Sequence, residues 1–117
     1  MPDLQIPPPW RCHVARDADG ATRIALAGEL DMAVAPKLEA ELVRAQRESA
    51  SVIVDLGELA FVDSSGVHVL LDADLRARVS GQRLLIAHPA RPVLRLFELT
   101  GVLDRLDVVD ASRPASR

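Results

Sequence analysis

The run Val52-Ile53-Val54-Asp55-Leu56 leaves this chain few architectures. A short, mostly apolar, β-branched segment suits a strand covered on both faces, as in a parallel sheet. A link from Gly57 to Val62 follows, then Asp63-Ser64-Ser65-Gly66, then a helical pattern to Ser80. Val67, Leu70, Leu71 and Leu75 fall at i, i+3, i+4 and i+8, so this spacing predicts the inner face of a helix. Asp63 or Ser64 can cap that helix, because a short side-chain oxygen reaches the free N–H groups of a first turn. Gly66 keeps the backbone uncrowded there. The pattern holds a hydroxyl at the positive end of a helix, beside the end of a central strand. Such a place favours added negative charge.

The flanking segments fit around this unit. Met1 to Pro9, with the run Pro7-Pro8-Pro9, reads as an extended or flexible lead-in. Cys12 and Val14 alternate with Arg11, His13 and Arg16, and Ile24 and Leu26 alternate likewise after Thr22. Between these runs Asp17-Ala18-Asp19-Gly20 is a turn signal, so the two form an antiparallel hairpin with Cys12 packed inward. After Gly28-Glu29-Leu30-Asp31, the residues Val34, Leu38, Leu42 and Ala45 mark a helix. Asp31 is its candidate cap, Pro36 suits its first turn, and its charged residues read as a solvated surface. Ser80-Gly81-Gln82 stops the next helix, and Arg83 to Ala87 is a further buried strand. His88 to Pro92 leads into a third helix with Val93, Leu96 and Phe97 inward, which Gly101 ends. Leu103 to Val109 reads as a last strand, and residues 111–117 as a flexible tail. The order β-β-α-β-α-β-α-β implies an α/β fold: one mixed sheet, an N-terminal antiparallel hairpin followed by βα units, packed with about three to four helices.

Composition narrows the function. At 117 residues the chain is one domain, spanning 10–110 between its two tails. With 49% hydrophobic residues but only 3% aromatics, its core must come from Leu, Val, Ile and Ala. A net charge of −3, with no basic stripe interleaved with aromatics, argues against nucleic-acid binding. One Cys excludes an internal disulfide, and His13, His68 and His88 are too scattered to suggest a metal site. No apolar run approaches the roughly 20 residues that span a bilayer, and no signal pattern opens the chain, so a cytoplasmic location is expected.

Gly28-Glu29-Leu30-Asp31, a helix, a buried strand, Phe61-Val62-Asp63-Ser64-Ser65-Gly66 and a second helix together resemble the STAS domain of anti-sigma-factor antagonists. Arg95-Leu96-Phe97-Glu98-Leu99-Thr100-Gly101 resembles the third-helix segment of that family. The resemblance implies a bacterial partner-switching regulator of transcription. Ser64 is the phosphorylation site it implies, with Asp31, Asp63, Ser65, Gly66 and His68 around it. The implied partners are an anti-sigma factor serine kinase with a histidine-kinase-like ATPase fold and a PP2C-type phosphatase. ATP is then held by the kinase, so no cofactor is expected on this chain. Val67-His68 departs from the family's usual small or apolar pair and bears on partner choice.

Other readings compete. Helix capping alone accounts for Asp63-Ser64-Ser65. STAS modules also act without phosphorylation, as subunits of lipid-transport or stress-sensing assemblies. A small serine hydrolase would place Ser64 in a nucleophile elbow, but Val62 stands where that motif needs Gly, and only His68 or His88 could serve as base.

Overall fold

The first two strands meet at the turn that the sequence marks. Gly20 N–H donates to the Asp17 carbonyl at 3.0 Å, and Asp19 Oδ1 accepts Ala21 N–H at 3.1 Å. This joins β1 (Arg11–Arg16) to β2 (Thr22–Leu30) as an antiparallel pair. The computed structural model describes residues 9–109, so the expected tail at 111–117 and all of the expected 1–9 lead-in but Pro9 lie outside the described residues. Then come α1 (Ala35–Glu48), β3 (Ser51–Val62), α2 (Ser64–Ser80), β4 (Arg83–Ala87), α3 (Arg91–Thr100), a 3-10 turn (Val102–Asp104) and β5 (Val108–Val109). The strands lie in one sheet in the order β1-β2-β3-β4-β5, and every pair after the hairpin is parallel.

The helices cover the sheet unevenly. Thr22, Ile24 and Leu26 on β2 and Val52, Val54 and Leu56 on β3 are buried, whereas Arg23, Ala25, Ile53 and Asp55 between them are half-exposed. The expected two-sided cover is therefore one-sided: alternate residues face the helices, and the others line an open face held by the Arg23–Asp55 ion pair at 3.3 Å. One continuous core joins Leu38 and Leu42 of α1, Leu70 and Ala73 of α2, and Val93 and Phe97 of α3 to these strands. Each large side chain buried in this way contributes about 1.5–3 kcal/mol.

Strand β3 is longer than its sequence pattern suggests, extending through Gly57–Val62. Two bulges explain why. Ala25 and Ala27 on β2 pair with Asp55 and Glu58, and Gly28 and Glu29 pair with Leu59 and Phe61, so β3 carries an extra residue at each place. Each extra residue shifts which side faces inward. The buried positions thus run 52, 54, 56, then 59, then 62, and lose their period of two.

Other elements shift too. The last strand shrinks to Val108–Val109, because Val102 and Leu106 reach the core from the 3-10 turn and the bend after it. Cys12 packs against the core as expected but stays half-buried, since β1 is an outer edge exposed along most of its length. Helix α2 is rotated slightly from the expected face: Leu70 is buried and Val67 and Leu71 pack against the core as expected, but Leu75 faces solvent, and Gly66, Val69, Ala73, Asp74 and Ala77 complete the inner side. The small residues let α2 approach closely, where a Leu-lined face would stand off. Between α1 and α2, Gln46 Nε2 donates to the Ala73 carbonyl at 2.9 Å and Gln46 Oε1 accepts from Arg76 Nε at 3.0 Å. Arg76 also pairs with Glu39 at 3.4 Å, so one of the charged residues of α1 belongs to the helix contact. Gly81 closes α2 in the left-handed conformation, at φ 72°, which glycine adopts without steric cost.

Candidate functional site at the start of helix α2

Asp63 organises the junction of β3 and α2. Its backbone is extended, and its Oδ1 accepts Gly66 N–H at 3.1 Å, capping the helix. Its carbonyl accepts Val67 N–H at 3.0 Å, and its own N–H donates to the Leu30 carbonyl at 3.1 Å. The second carboxylate oxygen, Oδ2, accepts the Met32 amide at 3.1 Å, across 31 positions of sequence. One side chain therefore holds both the first turn of α2 and the segment before α1.

Gly66 makes the junction tight. A Cβ there would lie 2.5 Å from Leu30 Cγ and 2.7 Å from Val62 Cγ2, so only glycine lets α2 seat against the ends of β2 and β3. Asp31 caps a turn rather than α1 itself. Its Oδ1 accepts Ala33 N–H at 3.0 Å and Val34 N–H at 3.3 Å, and its carbonyl accepts Ala35 N–H at 2.9 Å. Helix α1 then begins with Pro36 in its first turn and without a side-chain cap.

On this frame Ser64 is exposed, Ser65 half-buried, and His68 exposed one turn further along. Phe61 and Met32 stand near Ser64 as large apolar side chains 47% and 74% exposed. Exposed Glu29 faces Phe61 across the strand pair, and half-buried Asp31 and Asp63 complete an acidic surround. Among the described residues, no cation pairs with Asp31 or Asp63, and no imidazole is hydrogen-bonded to the Ser64 hydroxyl. Ser64 thus stands exposed at the first turn of α2, beside the Asp63 cap. Among the described residues no cluster of three His, Cys, Asp or Glu side chains could hold a metal, and no helix is long and apolar enough to cross a membrane.

Comparison with known proteins decides the family. The family described as "Mlab, STAS domain" matches residues 13–110. The chain belongs to the STAS domain family. This STAS domain is 33% identical over 94 residues to the anti-sigma-B factor antagonist of Listeria monocytogenes, covering 80% of this chain and 82% of the relative. It is 28% identical over 86 residues to the anti-sigma-B factor antagonist of Bacillus subtilis, covering 74% and 79%. Its fold resembles that of the anti-sigma factor antagonist SpoIIAA in its unphosphorylated form, with a TM-score of 0.73, 23% identity and coverage of 86% and 88%. SpoIIAA, from Bacillus, has also been solved in the phosphorylated form, with a TM-score of 0.69, 23% identity and coverage of 86% and 91%. The mixed sheet and N-terminal hairpin expected from the sequence are those of the STAS fold.

Two contributors to the site were not singled out from the sequence. Leu30 entered only as part of Gly28-Glu29-Leu30-Asp31, and Met32 not at all. Their roles come from the Asp63 tether and the Gly66 contact, both made between distant segments.

Proposed function

We propose that this chain is an anti-sigma factor antagonist that works as a phosphorylation switch. Unmodified, it binds an anti-sigma factor serine kinase and so frees a sigma factor. The kinase transfers the γ-phosphoryl group of ATP to Ser64 Oγ; ADP leaves, and the hydroxyl proton passes to a base on the kinase. The phosphorylated chain is released, and a PP2C-type phosphatase removes the phosphate. Asp31, Asp63, Ser65, Gly66 and His68 surround the switch, which acts in the cytoplasm.

The observation that carries this reading is the exposed Ser64 hydroxyl beside Asp63 at the first turn of α2. Phosphate adds about −1.5 to −2 charge at neutral pH. Asp63 already occupies the capping position there, and an acidic surround offers the phosphate no partner. In water the added charge stays hydrated. Under a docked protein it must be desolvated beside a fixed carboxylate, which costs several kcal/mol. A loss of about 3 kcal/mol lowers affinity roughly a hundredfold.

The test uses the purified anti-sigma factor kinases of the source organism. One of them should bind the wild-type chain in titration calorimetry and, given ATP, add a single phosphate that mass spectrometry maps to Ser64. Ser64→Asp should bind that kinase at least tenfold more weakly. Stoichiometric phosphorylation of Ser64→Ala would sink the assignment. Tight binding by a lipid-transport or stress-sensing assembly, with Ser64 left unmodified, would favour the phosphorylation-independent reading.

A further inference from the structure

Ser64 and His68 stand one turn apart on α2, and both side chains are exposed. Four residues along a helix advance about 40° around it and about 6 Å along it, so the two are neighbours on its surface. Helical side chains also lean toward the N-terminus, which tips the His68 ring back over the turn that carries Ser64. Among the described residues no ion pair engages His68. The charges around it are mostly acidic. Asp63 caps the helix, exposed Asp72 lies one turn beyond His68, and Glu29 and Asp31 flank the junction. Glu39 and Glu41 on α1 are taken up by Arg76 and Arg44, and Glu58 on β3 by Arg11. Arg83, the ionisable side chain of β4, sits opposite Ser51 at the far end of the sheet. Lys37 is exposed in the first turn of α1. Within the first two turns of α2, His68 is the one side chain that can carry positive charge.

We propose that the His68 imidazolium is the intramolecular partner of a phosphate on Ser64, which makes the switch sensitive to pH. The inference rests on Ser64 carrying phosphate as proposed above, and adds how that charge is regulated. Phosphoserine takes up its second proton near pH 6, and an ordinary histidine its proton near about 6.5, so both groups change charge close to neutrality. In mild alkali a histidine is neutral, and the full phosphate charge stands against Asp63. As the pH falls the ring gains a proton, and an anion one turn away favours that charged form. By the same coupling the imidazolium favours the doubly charged phosphate. The order also suits a helix, with the anion N-terminal to the cation. The pair then offsets part of the charge that excludes a docked protein. The phosphorylated chain is therefore released most completely above neutrality. In the unmodified chain the ring has no phosphate to meet, and this dependence is absent.

The test encodes phosphoserine directly at position 64, so it does not depend on finding the kinase. Proton NMR follows each histidine ring, and phosphorus NMR the phosphate, across about pH 5 to 9. Relative to the unmodified chain, the His68 midpoint should rise by about half a pH unit, while those of His13 on β1 and His88 after β4 hold within about a tenth. In phosphorylated His68→Gln the phosphorus midpoint should lie about half a unit above that of the phosphorylated wild type. A His68 shift no larger than those of His13 and His88 overturns the proposal. So does a phosphorus midpoint that His68→Gln leaves in place, and if Lys37→Gln moves it instead, Lys37 is the partner. With the kinase of the proposed function, the affinity lost on phosphorylation should be smaller at about pH 6 than at about pH 8. That difference should shrink in His68→Gln, which keeps the phosphate's own titration; an undiminished difference overturns the pH-sensitive switch. If no kinase modifies Ser64 in the wild-type chain, the proposed function fails, whereas the pairing with His68 is decided by the titrations alone.

Discussion

Asp63 and Met32 are joined by a single hydrogen bond of 3.1 Å between a carboxylate and a backbone amide. Through it the segment before α1 and the first turn of α2 share one anchor, because the other oxygen of the same carboxylate caps α2. A change at one side of the junction is felt at the other.

Removing that anchor should show the linkage. Asp63→Ala leaves the amides of Gly66 and Met32 without their acceptor, and loss of a helix cap costs about 0.5–2 kcal/mol. Urea denaturation should give a drop of that size. Hydrogen exchange at the Met32 amide should speed up by more than the global loss of stability accounts for. Unchanged Met32 protection would show that the tether holds nothing.

Gly66→Ala tests the close seat of α2. Its Cβ would meet Leu30 and Val62 inside contact distance, and overpacking of this kind costs about 1–3 kcal/mol. The urea midpoint should fall with an unchanged slope. A midpoint equal to wild type would mean that the end of α2 moves freely away from the sheet.

Ser64→Asp separates charge at an interface from damage to the fold. The side chain is exposed at a helix N-terminus, where the dipole offsets about 0.3–1 kcal/mol of added negative charge, against repulsion from Asp63. The free variant should keep its stability within about 1 kcal/mol of wild type. Large changes in amide spectra far from α2 would point to refolding instead.

Cys12 offers a check on the sheet edge. Burial, with a smaller contribution from the nearby Glu41 carboxylate, pushes its thiol pKa up. Both favour the protonated form, and the thiolate is the reactive one. Alkylation by iodoacetamide at pH 8 should be slower than for a free cysteine in solution and should rise at higher pH than usual. Urea should abolish the difference. Reaction at the free-thiol rate in the folded protein would show that β1 frays from the sheet.

How far the sequence foretold this structure depended on how local each signal was. The hairpin turn at Asp17–Gly20, the Pro36 start of α1, the Gly81 stop and the Asp63-Ser64-Ser65-Gly66 junction are set by neighbours in the chain, and all were legible. Strand β3 beyond Leu56 was not, because its two extra residues exist only in relation to β2. On α2 the expected inner residues Leu70, Val67 and Leu71 do meet the core, whereas Leu75 faces solvent. The rest of the core side comes from Val69 and the small residues Gly66, Ala73 and Ala77, which weigh little in a periodicity dominated by large side chains. In the candidate site, Ser64, Asp63 and Asp31 stood out by residue type, whereas Met32 entered only through a bond to a distant side chain.

Among the described residues, strand β1 has one side paired with β2 and the other unpaired. A bare rung of amides and carbonyls invites another chain to extend the ladder. Here Arg11, paired with Glu58, and Arg16, paired with Glu48, crowd that rim with hydrated charge that a docking strand would have to strip of water, so the protein can accumulate in its free form without aggregating through this strand.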